Sequence, residues 1–164
     1  MIKIEKLSKV HNKESFDCGD EFLNLFLKRY AYQNQKRYLV GITYVISDTS
    51  NDILAYITLS VSSIQKNSID KNKPYEELPV LLIARFAVDN KYRKQRFGEE
   101  LLKFAINKAL ELADNLGCVG IVVDSKPKAV DFYKKYGFEE IKTDTKTFLI
   151  KMFLPIKTLK KLKN

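Results

Sequence analysis

Residues 91 to 102 read KYRKQRFGEELL and set Lys91, Arg93, Lys94 and Arg96 beside a single glycine, Gly98. The run before them is nearly all apolar and the pattern after them is amphipathic, so the basic cluster falls where a strand hands over to a helix. That junction is a general anion trap. The first-turn N–H groups of a helix have no intrahelical partner, and the helix dipole favours negative charge beside them. Gly98 would let an oxygen approach the main chain with no Cβ in the way, and Arg93, Lys94 and Arg96 would add charge-assisted hydrogen bonds. A phosphorylated ligand suits this loop; a solvated basic loop is the alternative. No Gly-Lys-Ser/Thr follows, so the Walker pattern is excluded, and one glycine instead of three excludes the dinucleotide fingerprint.

Other residue types with chemical potential are few. His11 is the sole histidine and lies far from the core motifs, where a surface position is expected rather than a base. Cys18 and Cys118 have no companions at metal-ligand spacing, so two reduced thiols in a cytoplasmic protein and no metal are expected. Arg85 is the only charge in its apolar strand. It must either reach a solvent-filled cleft, where it could hold an anionic substrate, or pair with a carboxylate across the sheet. Asp89, Glu76 and Glu77 are open as proton acceptors. The net charge of +9 attracts phosphates, on a nucleotide or on RNA or DNA, and says nothing about fold.

The elements that must position these groups follow from patterning. The chain has 164 residues, 45% hydrophobic and 30% charged, which suits one ordinary domain, with no apolar run long enough for a transmembrane helix. FDCGDEFLNLFLKRYAYQNQK reads as an amphipathic helix, with Asp17 or Asp20 as its cap. YLVGITYVIS and ILAYITLSVSSI read as an antiparallel hairpin across DTSND, and QKNSIDKNKPYEEL as a long loop. PVLLIARFAVD (Pro79 to Asp89) reads as a buried strand. Leu101, Leu102, Ala105, Ile106, Ala109, Leu110 and Ala113 mark a helix from Glu99 to about Asn115, ended by Gly117. CVGIVVDS is a further strand, Pro127 opens a short helix that Gly137 closes, FEEI and TFLIKMFL are final strands, and PIKTLKKLKN is a basic tail. The expected architecture is α/β, a mixed central sheet with a βαβ crossover.

The combination of LLIARFAVDNKYRKQRFGEELL, GIVVDS and AVDFYKKYGFEEI resembles the GNAT superfamily of N-acetyltransferases over nearly the whole chain. The resemblance implies the GNAT fold and a single N-acetyltransferase domain over residues 1–164. In that family the pattern Arg/Gln-x-x-Gly-x-Gly/Ala binds the pyrophosphate of the co-substrate acetyl-coenzyme A (acetyl-CoA). Here it reads Arg93-Lys94-Gln95-Arg96-Phe97-Gly98, with Arg96 where the motif has its first glycine. Either Arg96 weakens cofactor binding or its side chain turns outward and leaves the backbone cradle intact. The strand before it and the helix after it favour the second. The resemblance also implies that the main chain of Phe86, Ala87 and Val88 pairs with the pantetheine arm, and that Tyr133 is the acid beside the cofactor sulfur. Tyr136 is its competitor, and both tyrosines could merely pack their helix.

SFDCGDEFLNLFL together with LPVLLIARFAVD resembles the toxin branch that acetylates aminoacyl-tRNA and is countered by a ribbon-helix-helix antitoxin. This implies a translation-blocking toxin. Lys28, Arg29, Lys36, Arg37 and the tail lysines are then possible contacts to tRNA phosphates, and a homodimer is possible. A GNAT enzyme acting on a small amine or protein N-terminus, and a non-catalytic binding module, are the competing expectations.

Overall fold

The computed structural model describes residues 2–142 and 147–163. β-branched and aromatic residues dominate its strands, as expected for pleated, half-buried surfaces. These are β1 (Ile4–Lys6), β2 (Ile42–Ser47), β3 (Ile53–Gln65), β4 (Glu77–Val88), β5 (Gly120–Ser125), β6 (Glu139–Glu140) and β7 (Ile150–Pro155). They run in the order β1-β2-β3-β4-β5-β7-β6 in a seven-stranded mixed sheet. The chain divides into two compact units, residues 1–60 with 84–105 and residues 61–83 with 106–164.

In the first unit β2 lies antiparallel to β1 (Ile4 opposite Ile46) and to β3 (Tyr44 opposite Ile57). The hairpin turns at residues 48–52, where the Asp48 carboxylate accepts from the N–H groups of Ser50 at 2.9 Å and Asp52 at 3.0 Å. The expected first helix is a run of short pieces: α1 (Glu21–Leu25), a π turn (Phe26–Tyr30), α2 (Ala31–Gln33) and a second π turn (Asn34–Tyr38). Asp20, not Asp17, caps it, accepting from the N–H groups of Phe22 and Leu23. Leu27, Ala31 and Gln35 form the buried stripe. Leu27 and Ala31 join a core with Leu7, Phe16, Cys18, Val45, Ile53, Tyr56 and Ala87. Buried Tyr56 donates its hydroxyl to the Leu23 carbonyl at 2.7 Å. Gln35 stitches helix to sheet: its amide donates to the Leu7 carbonyl at 3.0 Å and accepts from Thr43 N–H at 2.9 Å.

In the second unit β4 and β5 run parallel (Leu81 opposite Ile121, Ile83 opposite Val123), and β7 lies antiparallel to β5 and to β6. The 19-residue helix α3 (Phe97–Asn115) links β4 to β5 and completes the expected βαβ crossover. Leu101, Leu102, Ala105, Ala109 and Leu110 are buried along it, and Gly117 ends it at φ +98°. Pro127 opens a 3-10 turn (Pro127–Ala129) that continues into α4 (Val130–Lys135). Gly120 is fixed by packing, since a Cβ there would stand 2.5 Å from the Leu154 carbonyl oxygen.

Three expectations need correction. YLVGITYVIS becomes strand only from Ile42, because the second π turn carries the helical run through Tyr38. β1 was not expected; three residues give almost no period to read. PIKTLKKLKN is not a tail but contains helix α5 (Ile156–Lys163), which buries Ile156 and Leu159 while Lys157, Lys160 and Lys161 stay exposed. Asn164 lies outside the described residues. Among the described residues no helix is long and apolar enough to cross a membrane.

Gln35 supplies a test of this architecture. Gln35→Leu leaves the buried Leu7 carbonyl and Thr43 N–H without the side-chain partner that each has now. Urea unfolding should show a loss of about 1–3 kcal/mol. A shift below a few tenths would show that this stitch contributes little.

Candidate active site

Asp89 lies at the end of the apolar strand and is only 2% exposed. One carboxylate oxygen accepts from Lys91 N–H at 2.9 Å, capping the 3-10 turn Asn90–Gln95, and the other accepts from Asp17 N–H at 3.0 Å. Asn90 N–H returns a bond to the Asp17 carbonyl at 2.9 Å. The Asp17 carboxylate accepts from Gly19 N–H and from the Asn24 side-chain amide, both at 2.9 Å. These bonds, with Gly19 first, hold the Asp17 carboxyl below the usual carboxylate range. Arg93 closes the ring by donating to the Cys18 carbonyl at 2.6 Å. Gly19 sits at φ +85°, and a Cβ there would come within 3.3 Å of the Asn90 amide. The quoted stretches FDCGD and VDNKYR are therefore one hydrogen-bonded clasp.

The clasp delivers the chain to the helix. Arg96 adopts the left-handed conformation (φ 63°, ψ 21°) with its side chain exposed, and its carbonyl accepts from Glu100 N–H at 3.1 Å in the first turn of α3. Arg96 thus takes the backbone conformation that glycine adopts most readily, at a cost of roughly 1–2 kcal/mol. Its side chain points outward. Phe97 is buried, with its ring 6.3 Å from Tyr92. Lys94, Gln95 and Arg93 are exposed, and Arg93 uses one of its five N–H donors on Cys18. A Cβ on Gly98 would lie 3.5 Å from Val88 and 3.7 Å from Phe86, ordinary contact distances. Packing does not require glycine at 98. A bare main chain there suits a ligand that approaches the helix N-terminus. Ala87 points into the core while Phe86 and Val88 stay partly exposed, as strand alternation dictates.

The remaining candidates fall in different places. Tyr133 lies in the second unit, on α4, and is 6% exposed. Its ring packs 5.3 Å from both Phe132 and Phe138. Burial pushes its phenol well above its ordinary value near 10, so it stays protonated. Tyr136 is half-buried, with the Lys135 ammonium 5.8 Å from its ring centre. His11 is not at the surface: it is buried, with Nδ1 accepting from Ser8 N–H at 3.0 Å. Its proton therefore sits on Nε2 and is donated to Glu5 at 2.9 Å, which holds that carboxyl below its usual range. A polar N-terminal segment gave no hint of that pocket. Arg85 has no carboxylate partner among the described residues: it is solvent-exposed, donates to the Ala84 carbonyl at 2.7 Å and lies 4.9 Å over the Phe26 ring. Asp89 is committed to two N–H groups, and Glu76 pairs with Lys66 at 3.1 Å. Glu77 is exposed. Among the described residues no group of three His, Cys, Asp or Glu side chains could hold a metal ion.

A parallel β4–α3–β5 crossover with a phosphate-ready loop at its turn places the molecule among α/β proteins that grip nucleotide-like cofactors at a helix N-terminus. Residues 17–154 match the acetyltransferase (GNAT) domain family, and the chain belongs to that family. It is 26% identical to a tRNA-acetylating toxin of Mycobacterium tuberculosis over 144 residues, 85% of each chain. Among solved structures it is similar to AtaT complexed with acetyl-methionyl-tRNAfMet (26% identity, all of both chains covered, TM-score 0.91). It is also similar to a tyrosine-to-phenylalanine mutant of AtaT bound to the C-terminus of the antitoxin AtaR and acetyl-CoA. That match has 25% identity, coverage of 99% and 97%, and a TM-score of 0.81.

Gly98→Ala separates the fold's needs from the ligand's. Ala gains roughly 0.5–1 kcal/mol over Gly within a helix, so the melting temperature should hold or rise while calorimetry shows weaker acetyl-CoA binding. Unchanged affinity would mean that the bare backbone at 98 is not a ligand contact.

Proposed function

We propose that this chain transfers acetyl from acetyl-CoA to the α-amino group of aminoacyl-tRNA, and that residues 1–164 act as one N-acetyltransferase domain. The observation that carries the reading is the clasped loop, with Arg96 left-handed and Gly98 bare, inside the region that matches the acetyltransferase family. The relatives' acetylated tRNA, acetyl-CoA and antitoxin complexes support it. The main chain of Phe86, Ala87 and Val88 receives the pantetheine arm. Lys94, Gln95, Arg96, Phe97 and Gly98, with the free donors of Arg93, take the pyrophosphate. A backbone N–H aimed at the developing oxyanion supplies the electrostatic stabilisation usual in acyl transfer.

The structural commitment of the two buried candidates fits this acceptor. Asp89 and His11 are occupied structurally. An α-amine with a reference pKa near 8 is roughly a tenth neutral at pH 7, whereas a lysine side chain near 10.4 is almost wholly charged. The neutral amine attacks the thioester carbonyl, the C–N bond forms and the C–S bond breaks. The buried Tyr133 phenol donates a hydrogen bond to the departing sulfur. Because that phenol holds its proton more tightly than a thiol does, the net proton comes from the ammonium formed by attack. The fitting context is a cytoplasmic, translation-blocking toxin with a cognate ribbon-helix-helix antitoxin as protein partner.

The test is transfer of labelled acetyl to total charged tRNA. Tyr133→Phe removes one hydrogen-bond donor to developing charge and should lower kcat about a hundredfold, with acetyl-CoA affinity kept. Since burial raises the Tyr133 phenol, the wild-type profile should show no descending limb from it below pH 10. Transfer only to small amines or protein N-termini, insensitive to salt, would refute the tRNA reading. Cofactor binding without any transfer would point to a non-catalytic module.

A further inference from the structure

We infer that Asn24 is a positioning residue for acetyl-CoA binding, acting through residues 17 and 18 on the loop that enters α3. The inference rests on the reading of that loop as the cofactor's cradle. Asn24 lies half-buried inside α1, where asparagine is a poor helix former because its side chain competes for backbone partners. Here the side chain is spent outside the helix, on residues six and seven positions earlier. Its carboxamide oxygen accepts from Cys18 N–H at 2.9 Å, and its NH2 donates to the Asp17 carboxylate at 2.9 Å. The two ends cannot trade places, since a backbone N–H needs the oxygen and a carboxylate needs the NH2.

The same two residues carry the loop. The peptide unit joining Asp17 to Cys18 puts its N–H on Asn24 and its carbonyl on Asn90 N–H, each at 2.9 Å. That unit is planar and trans, so its two groups point in opposite directions, one to the helix and one to the loop. A rotation of the plane would break both bonds. Asp17 N–H is held by Asp89 at 3.0 Å, and the Cys18 carbonyl by Arg93 at 2.6 Å. With one donor fixed on Cys18, the Arg93 guanidinium keeps the others for the pyrophosphate. Loss of the Asn24 carboxamide would therefore loosen the base on which Asp89, Asn90 and Arg93 rest.

The helical run itself is anchored by other groups. Tyr56 donates to the Leu23 carbonyl at 2.7 Å, Gln35 stitches the run to Leu7 and Thr43, and Leu27 and Ala31 sit in the core. A change at Asn24 should thus reach the loop without unfolding the run. Asn24→Asp is the sharpest probe, because it keeps the shape and the acceptor for Cys18 but sets a second carboxylate against Asp17. Besides Asp17, the charged groups around position 24 are Asp20 and Glu21 one turn before, Lys28 one turn after, and Lys91 and Arg93 from the loop. Two carboxyls in contact do not readily both ionise, so this pair should take up a proton above the usual carboxylate range near 4. That proton restores the missing donor.

The test measures acetyl-CoA affinity by calorimetry, together with KM and kcat, for the full chain and its variants. At pH 8 Asn24→Asp should weaken acetyl-CoA binding about tenfold. KM for acetyl-CoA should rise by the same factor, with kcat at saturation kept within about twofold. The ratio of variant to wild-type Kd, in which the titration of the acetyl-CoA phosphates cancels, should shrink as pH falls from about 8 to about 5. Asn24→Ala adds no charge, so it should weaken binding at every pH and serves if the aspartate variant does not fold. Gln35→Leu, which loses stability elsewhere in the same unit, should leave affinity and KM unchanged. Asn24 variants that melt earlier but bind acetyl-CoA like wild type would overturn the inference and leave Asn24 a structural residue only. An Asn24→Asp loss that ignores pH would overturn it too, because the missing donor would not be the cause. Wild-type protein that binds acetyl-CoA but acetylates no charged tRNA would overturn the acceptor reading instead, while the affinities still decide Asn24.

Discussion

A single buried carboxylate organises the loop between β4 and α3 and the segment that clasps it. Asp89 ends the apolar strand, caps the turn that follows and holds the backbone of Asp17, 72 residues earlier in the chain. A buried carboxylate is tolerated only when its oxygens are hydrogen-bonded, and here both are. Removing the side chain would leave two N–H donors without it, and the route from strand to helix would lose its fixed start. Arg93 reinforces the same contact from the loop side through the Cys18 carbonyl. The turn before α3 is therefore held in place by the fold itself, and preorganised N–H donors need no reorganisation when charge develops beside them.

The clasp also gives the front of the sequence a physical meaning. Phe16 and Cys18 are core residues, Gly19 occupies a left-handed conformation that side chains rarely adopt, and Asp17 and Asp20 satisfy backbone and amide donors. The stretch FDCGD ties the helical run to the loop before α3. The surplus of basic over acidic residues, a charge of +9, favours an anionic partner.

Much of this was legible from patterning because long elements carry a strong period. The β4–α3–β5 crossover, the β2–β3 hairpin and the glycine stops at 117 and 137 were all readable. The α5 helix was hidden by its own lysines: four in ten residues mask two buried apolar positions. His11 was misjudged because its partners, Ser8 and Glu5, lie in an irregular local turn that no periodicity marks, and Arg85 was left open because Phe26 meets it only in the fold. The outward turn of Arg96 followed from its neighbours, but the left-handed backbone beneath it needed coordinates. The roles of Asp89 and Asp17 were invisible for the same reason, since nothing in a one-dimensional pattern joins residues 72 apart.

The most direct test is to replace Asp89 with Ala and follow amide hydrogen exchange alongside calorimetric acetyl-CoA binding. If the clasp builds the cofactor loop, the amides of residues 90–98 should exchange roughly tenfold faster or more. Acetyl-CoA affinity should fall in step, while β5 and β7 keep their protection. Loop amides that lose protection with cofactor affinity intact would contradict the account, because the anion site would then form without the interaction said to create it.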